Sequence, residues 1–309
     1  MCGIVGLYLK NPSLEDRLGA LFSPMLIEIT DRGPDSAGFA IYGDEVADGY
    51  IKISLQHSDE SFSWKNLAAW LTEKLGEEVD WSENVTAAVM RVKTTESAAR
   101  RLIEHKFSDL RIMSIGRSIE IRKEMGLPQM VSDRFSLPNL KGTHIIGHTR
   151  MATESAVTTE GSHPFSTGMD LCLVHNGSLS NHNRLRAWLE RQNINFKTNN
   201  DTEVAAGYLS WHLREGATLQ EALESALCDL DGFYTFAVGT REGFAVLRDP
   251  IACKQAGMVE TVDYVAMATE FRALAGLPGI ENARIWEPEP GHVYSWGRKV
   301  TRADKGILR

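Results

Sequence analysis

The chain has 309 residues, of which 43% are hydrophobic, and a formal net charge of −8. This length and composition predict a globular protein of one large domain or two, and the acidic balance argues against a general nucleic-acid or anionic-membrane binder. No apolar run approaches the ~18 residues of a membrane span, and no signal peptide is visible. The four cysteines are widely spaced without a C-x-x-C pair, so a cytoplasmic location is expected.

The first 55 residues predict alternating elements. An apolar run over 2–9 indicates a buried strand, and Ser13 is a candidate cap for a helix over 14–29. Asp31 to Asp35 form a turn signal. Strands over 37–42 and 49–55 follow, and Gly43-Asp44 between them predicts a hairpin.

The region 56–140 is more charged and is far longer than an ordinary connection. It contains helical patterns over 64–75 and 96–107 and strand patterns over 85–92 and 110–115. We therefore predict an inserted α+β segment, or an elaborated edge of the main sheet, within a domain that extends over 2–309.

Regular patterning returns at Gly142, with strand runs and helix runs in blocks, which favours α+β over a doubly wound parallel sheet. The predicted strands cover 143–149, 171–175, 233–239, 243–247, 264–268 and 291–296, and the predicted helices cover 181–192, 202–214, 219–227 and 271–276.

Cys2 directly follows the initiator methionine. If Met1 is removed, one residue carries both a thiol and a free α-amine. A thiolate is a strong nucleophile, and a terminal amine with a pKa near ~8 is a suitable base for it. Cys2 is therefore a candidate N-terminal nucleophile, although a cysteine at position 2 on its own is more often incidental.

Polar segments beyond predicted strand ends supply the groups that a thiolate attack on an amide requires. Asn176 and Gly177 offer a side-chain amide and a backbone N–H for an oxyanion hole. Arg150 suits a carboxylate, and Asp201 suits an ammonium group. Together they describe an enzyme for a free amino acid with a side-chain amide, and glutamine fits.

Each motif has a plainer interpretation when taken alone. Asn176-Gly177 is a common hairpin turn, Arg150 alone is a surface or salt-bridged arginine, and Asp201 alone is a helix N-cap. His163 before Pro164 is more often a turn residue. His144 and His148 have metal-ligand spacing only on a helix, and a strand is predicted there, so no metal site is expected.

The chain resembles a class II glutamine amidotransferase domain of the N-terminal-nucleophile hydrolase superfamily. The resemblance rests on motifs in the family order, and it covers the chain apart from 56–140 and the extreme C-terminus. The motifs are the Cys-Gly-Ile-Val-Gly start, Arg32-Gly33-Pro34-Asp35-Ser36, Gly147-His148-Thr149-Arg150, His163-Pro164, His175-Asn176-Gly177, Asp201-Thr202-Glu203, Arg248-Asp249-Pro250 and Ala268-Thr269-Glu270.

The resemblance implies a four-layer αββα sandwich of two antiparallel sheets. It implies that Cys2 attacks glutamine to form a thioester, with Asn176 and Gly177 as the oxyanion hole. It implies that Arg150 and Thr153 bind the substrate α-carboxylate and that Asp201 binds its α-amino group. A family histidine near the site matches His163, a substrate-binding candidate.

The sequence shows no phosphate loop, dinucleotide fingerprint, phosphoribosyl-binding signature or adenylating loop. We therefore expect the acceptor of the ammonia on another polypeptide. Stand-alone subunits of this kind resemble the amidotransferase component of glutamate-synthase-like and N-methylglutamate synthase complexes. That resemblance implies a hetero-oligomer whose FMN and iron–sulfur cluster lie on the synthase subunit, with no cofactor on this chain.

Two alternatives from other classes stay open. One is an N-terminal-nucleophile amidohydrolase that acts on a different amide without a partner. The other is a non-catalytic regulatory subunit that keeps the fold.

Overall fold

The computed structural model describes residues 2–152 and 157–297 of the chain. The strands in chain order are β1 (Gly3–Leu9), β2 (Ser36–Tyr42), β3 (Tyr50–Gln56), β4 (Asp80–Asn84), β5 (Ala87–Lys93), β6 (Arg111–Gly116), β7 (Ile119–Met125), β8 (His144–Arg150), β9 (Phe165–Gly168), β10 (Leu171–Leu179), β11 (Gly232–Thr240), β12 (Gly243–Arg248), β13 (Gly257–Glu260), β14 (Tyr264–Ala268), β15 (Arg284–Trp286) and β16 (His292–Gly297). The α-helices are α1 (Leu18–Glu28), α2 (Trp64–Leu75), α3 (Glu96–Lys106), α4 (Pro128–Arg134), α5 (His182–Arg191), α6 (Asp201–Arg214) and α7 (Leu219–Asp229).

Two antiparallel sheets form the centre of the molecule. One has seven strands in the order β15-β13-β14-β1-β8-β2-β7, and the other has five in the order β16-β12-β11-β10-β9. Buried side chains such as Ile4 and Ile146 of the first sheet and Val174 and Phe244 of the second share one apolar cluster between the sheets. Burial of apolar surface on both faces explains why these strands are apolar almost throughout.

Helices cover the outer faces of the two sheets. α1 packs on the seven-stranded sheet, where Phe22 and Leu26 join a core cluster with β1 and β2. α5, α6 and α7 pack on the five-stranded sheet, with Leu189, Leu209 and Leu223 in its core cluster. The order helix, sheet, sheet, helix is the predicted αββα sandwich, so the expected α+β fold is confirmed.

A third sheet of four strands, in the order β4-β5-β3-β6, lies beside this sandwich. α2 and α3 cover it through a separate core cluster. The structure divides the predicted insert 56–140 in two, because β7 pairs with β2 in the seven-stranded sheet and α4 packs against α1. The four-stranded sheet also contains β3, which begins at Tyr50, before the predicted start of the insert.

The predicted hairpin between 37–42 and 49–55 is wrong. β2 is an interior strand with β7 on one side and β8 on the other, and β3 pairs with β5 and β6. Gly43-Asp44 is a local turn signal, but burial of both faces of β2 favours long-range partners.

Two helix predictions also need correction. The helix predicted over 14–29 begins only at Leu18, after a 3₁₀ turn over Pro12–Arg17 whose cap is Asn11 rather than Ser13. The helix predicted over 271–276 is reduced to a 3₁₀ turn at Phe271–Ala273.

Candidate active site

Cys2 lies immediately before β1, at the edge where strands of both central sheets end. β1 pairs with β8 so that Gly3 is opposite Thr149. The Cys2 thiol is half-buried, and its Sγ lies 3.8 Å from the carbonyl oxygen of Met151, just beyond β8. The apolar strand that follows therefore fixes the residue that carries the thiol.

Asn176 reaches the same point from the five-stranded sheet. Its side-chain Nδ2 donates to the carbonyl oxygen of Cys2 at 3.0 Å and to Oγ1 of Thr269 at 3.1 Å. Thr269 Oγ1 also accepts the backbone N–H of Ile4 at 2.8 Å. These bonds join the start of β1, the residue after β14 and the interior of β10 around the candidate nucleophile.

Gly177 follows Asn176 in β10 and has a φ of +145°, a backbone conformation that is strained for residues with a Cβ. A Cβ here would lie 1.9 Å from the carbonyl oxygen of Phe233 on the neighbouring strand. Asn176-Gly177 therefore lies within a paired strand, opposite Thr235 and Tyr234, and does not form a hairpin turn.

The turn at 31–35 positions the segment that carries Arg150. A Cβ on Gly33 would lie 2.5 Å from the Arg150 backbone, so the turn packs directly on it. The Asp35 N–H donates to the Arg150 carbonyl at 3.1 Å, and Asp35 Oδ2 accepts the Ala152 N–H at 2.8 Å. Arg150 is 8% exposed.

A loop over 159–164 packs beside the Arg150 guanidinium, whose Nη1 is 3.2 Å from the position of a Cβ on Gly161. Lys123 in β7 holds this loop by donating to the carbonyl oxygens of Glu160 at 3.2 Å, Ser162 at 2.6 Å and Pro164 at 3.1 Å. Burial lowers the pKa of Lys123 to about 7. Sequence patterning did not single out Lys123, because its acceptors are all backbone atoms.

Asp201 is the first residue of α6, and the helix cap is Asn200, whose side chain accepts the Thr202 N–H at 2.8 Å. The plainer interpretation of Asp201 as the cap is therefore wrong. Its Oδ2 accepts the Leu179 N–H at 2.9 Å, and its Oδ1 lies 3.7 Å from Nδ1 of His175. The Asp201 side chain is 22% exposed.

His163 lies behind Asn176 in a buried cluster of histidines. Its ring stacks on that of His148, with centroids 3.9 Å apart and 12° between the planes. Its Nδ1 accepts the His175 N–H at 3.4 Å, and its Nε2 lies 3.4 Å from Thr202 Oγ1. A contact between His163 and substrate stays a prediction. Thr153, the other carboxylate candidate, lies outside the described residues.

Burial depresses the basicity of all three clustered histidines. It lowers the pKa of His148 to about 3, and it lowers the pKa values of His163 and His175 as well. The adjacent Asp201 carboxylate opposes this effect at His175. The cluster is therefore neutral at physiological pH.

Sequence reasoning missed Thr269 and Asp35 as residues that hold the site together. Both belong to motifs that were recognised, but the motifs do not reveal which backbone and side-chain groups they bind. Their position just beyond a strand or turn was the available signal.

The structure also shows what lies away from the site. A cavity of about 400 Å³ opens between the four-stranded and seven-stranded sheets, and every cation that lines it is ion-paired. Lys52 and Arg122 pair with Glu120, Arg91 pairs with Asp80, and Lys141 pairs with Asp16. In the described ranges, no group of three histidine, cysteine or acidic side chains is arranged to hold a metal ion. None of the helices in those ranges has the length and apolarity needed to cross a membrane.

Comparison with known proteins gives a consistent family. A family model described as a glutamine amidotransferase domain matches residues 148–276. The chain is 55% identical to the glutamine amidotransferase-like protein GlxB of Rhizobium meliloti, over 96% of this chain and 98% of GlxB. It is 32% identical to a putative glutamine amidotransferase of Methanothermobacter thermautotrophicus, over 95% of this chain and 98% of that protein.

Among solved structures, the chain is similar to glutamine phosphoribosylpyrophosphate amidotransferase from B. subtilis, with a TM-score of 0.61 and 21% identity. The match covers 96% of this chain and spans about half, 47%, of that protein. At this identity the likeness concerns the fold. The two near full-length relatives and the matching family model agree, and the chain is therefore a member of the glutamine amidotransferase family.

Proposed function

We propose that this chain hydrolyses glutamine to glutamate through a thioester on Cys2 and supplies the ammonia to a separate synthase subunit. The observation that carries the proposal is the 3.0 Å bond from the Asn176 amide to the carbonyl oxygen of Cys2. This bond supports the proposal because a side-chain donor lies next to the proposed nucleophilic residue, although the two residues belong to different sheets.

The proposed reaction uses Cys2 as residue one, after removal of Met1. The α-amine takes the thiol proton, and the thiolate attacks the side-chain carbonyl carbon of glutamine. The resulting oxyanion collapses, the C–N bond breaks, and the leaving nitrogen takes a proton from the α-ammonium group. Water then attacks the thioester, releases glutamate and restores the thiol.

The oxyanion requires donors that are already in place. Both N–H groups of the Asn176 amide are engaged in this structure, one by the Cys2 carbonyl oxygen and one by Thr269 Oγ1. The proposal therefore includes an exchange, in which one of these bonds is replaced by a bond to the oxyanion. Gly177 supplies the second donor from its backbone.

Substrate selection is proposed to rest on the two opposite charges carried by the α-carbon of the amino acid. Arg150 binds the α-carboxylate with Thr153, and Asp201, whose carboxylate is partly exposed, binds the α-ammonium group. His163 is kept as a substrate-binding candidate in the wall behind Asn176.

The proposed acceptor is the synthase subunit of a glutamate-synthase-like or N-methylglutamate synthase complex. GlxB aligns over 98% of its length with this chain, so this relative has no room for an appended synthase domain. FMN and an iron–sulfur cluster are proposed for the partner subunit, and no cofactor is proposed for this chain. The cytoplasm is the proposed location, because all four cysteines are free thiols.

The test is to isolate the protein with its native partners and to measure ammonia release from glutamine, asparagine and other amides. The proposal expects glutamine-dependent release that Cys2→Ala abolishes, and a flavin-bearing subunit among the partners. Preference for another amide would overturn the substrate. Unchanged glutamine-dependent output with Cys2→Ala would show a non-catalytic subunit. A phosphoribosyltransferase or synthetase partner would overturn the proposed acceptor.

A further inference from the structure

We propose that His148 is a positioning residue that determines which end of the Asn176 side-chain amide faces Cys2. This inference rests on the proposed function, because it concerns the donor that the proposed oxyanion requires. His148 lies in β8, and Asn176 lies in β10 of the facing sheet.

The geometry places one nitrogen of His148 against two oxygens. His148 Nε2 is 3.2 Å from Asn176 Oδ1 and 3.1 Å from the carbonyl oxygen of His175. A carbonyl oxygen only accepts hydrogen bonds, so Nε2 must carry the hydrogen. A single shared N–H then satisfies both acceptors.

The other nitrogen agrees with this tautomer. His148 Nδ1 is buried and has no hydrogen-bond partner among the described residues. With the hydrogen on Nδ1 instead, a buried donor would be left unpaired and the lone pair of Nε2 would face two acceptor oxygens. The neutral ring therefore places its one hydrogen on Nε2, facing Asn176.

The two ends of a carboxamide have nearly the same shape, so shape alone does not select one orientation. The contacts on the other side of Asn176 are the Cys2 carbonyl oxygen and Thr269 Oγ1. When the His148 N–H donates to Asn176 Oδ1, the NH₂ end of the amide points toward Cys2. A flipped amide would bring its oxygen against the Cys2 carbonyl and would repel an oxyanion.

The surroundings hold the His148 ring in this orientation. The stacked ring of His163 covers one face, and His148 itself is 1% exposed. The ring cannot turn without displacing packed neighbours, so its N–H is preorganised. This gives His148 a role in catalysis without direct contact with substrate.

The experiment compares two substitutions at position 148 in the native complex. His148→Gln keeps an N–H donor at about the reach of Nε2, and His148→Leu fills the space without a donor. We expect His148→Leu to lower kcat for glutamine hydrolysis about 10- to 100-fold. This is smaller than the ~10²–10³-fold loss of kcat on removal of an oxyanion donor, because Asn176 itself remains. KM for glutamine should stay within about threefold, since Arg150 and Asp201 are unchanged.

Rescue and coupling separate positioning from a purely structural effect. His148→Gln should keep kcat within about threefold of wild type, and thermal unfolding should show that both variants are folded. If His148→Leu does not fold, His148→Asn replaces it, because its shorter amide retains polarity but falls short of Asn176. In an Asn176→Ala background, His148→Leu should cause no further loss of single-turnover rate.

Different results identify different failures. Wild-type kcat in a folded His148→Leu protein would overturn the positioning role, and so would an equal loss in the Asn176→Ala background. Absence of glutaminase in the wild-type complex would instead overturn the proposed function on which this inference rests.

Discussion

The buried histidines predict that acid destabilises this protein, and His148 provides the quantitative test. Its pKa is lowered from 6.5 to about 3 by burial. The unfolded chain therefore binds a proton at this position between pH 6.5 and pH 3, and the folded protein does not. Stability from this group is present above pH 6.5 and is lost as the pH falls toward 3.

The size of the effect follows from the two pKa values. Between pH 7 and pH 5, protonation of the unfolded histidine lowers the free energy of unfolding by about 2 kcal/mol. His163 and His175 shift in the same direction and add to the loss. Since domains have only about 5–15 kcal/mol of stability, this cluster alone makes the fold acid-sensitive.

The assay is denaturant unfolding of wild type and His148→Gln at pH 7 and pH 5. Glutamine does not titrate, so the wild-type protein should lose about 2 kcal/mol more than the variant over this range. Carboxylates contribute equally to both proteins and cancel in the difference. His148 is one cause of the lowered pKa of His163, so its replacement can only enlarge the difference between the two proteins. An identical pH dependence in the two proteins would refute the reasoning.

Three further outcomes are expected. An N-terminal tag, or retention of Met1, should abolish glutaminase activity while leaving thermal unfolding unchanged, because Cys2 then lacks a free α-amine. Full activity of a tagged protein with an intact Met1 would contradict the α-amine as the base. Arg150→Lys should raise KM for glutamine about 10- to 100-fold with a smaller change in kcat, because an ammonium group cannot donate the two parallel hydrogen bonds of a guanidinium. An unchanged KM would show that Arg150 does not bind the substrate. Gly177→Ala should lower Tm and kcat together, because a Cβ would lie 1.9 Å from the Phe233 carbonyl oxygen; a stable, fully active variant would show that the strand relaxes there.

Much of the candidate site followed from residue types and their order. Cys2, Arg150, Asn176, Gly177 and Asp201 were selected because amide hydrolysis of an amino acid needs a thiolate, oxyanion donors and opposite charges. The structure brings Cys2, just before β1, beside the end of β8 that carries Arg150, and it places Asn176 within β10, where its amide donates to the Cys2 carbonyl oxygen. It places Asp201 at the start of α6, against the Leu179 N–H of the strand that carries Asn176.

The supporting contacts did not follow from the sequence. Lys123, Thr269 and the Nε2–H of His148 act on atoms that are distant along the chain. Lys123 binds three backbone carbonyls, and no residue pattern encodes such an acceptor set. The expected contact of His163 with substrate followed from motif order alone, whereas the structure surrounds its ring with protein groups.

The sequence by itself determined the α+β class and the buried strands, and it singled out Cys2 as the candidate nucleophile, because these depend on local periodicity and on functional groups. Only the tertiary structure decided that β2 pairs with β7 and β8 rather than with β3, since strand pairing depends on burial over long separations. It also decided which groups surround Asn176. Two sheets must stack before a histidine of one can orient an amide of the other beside Cys2.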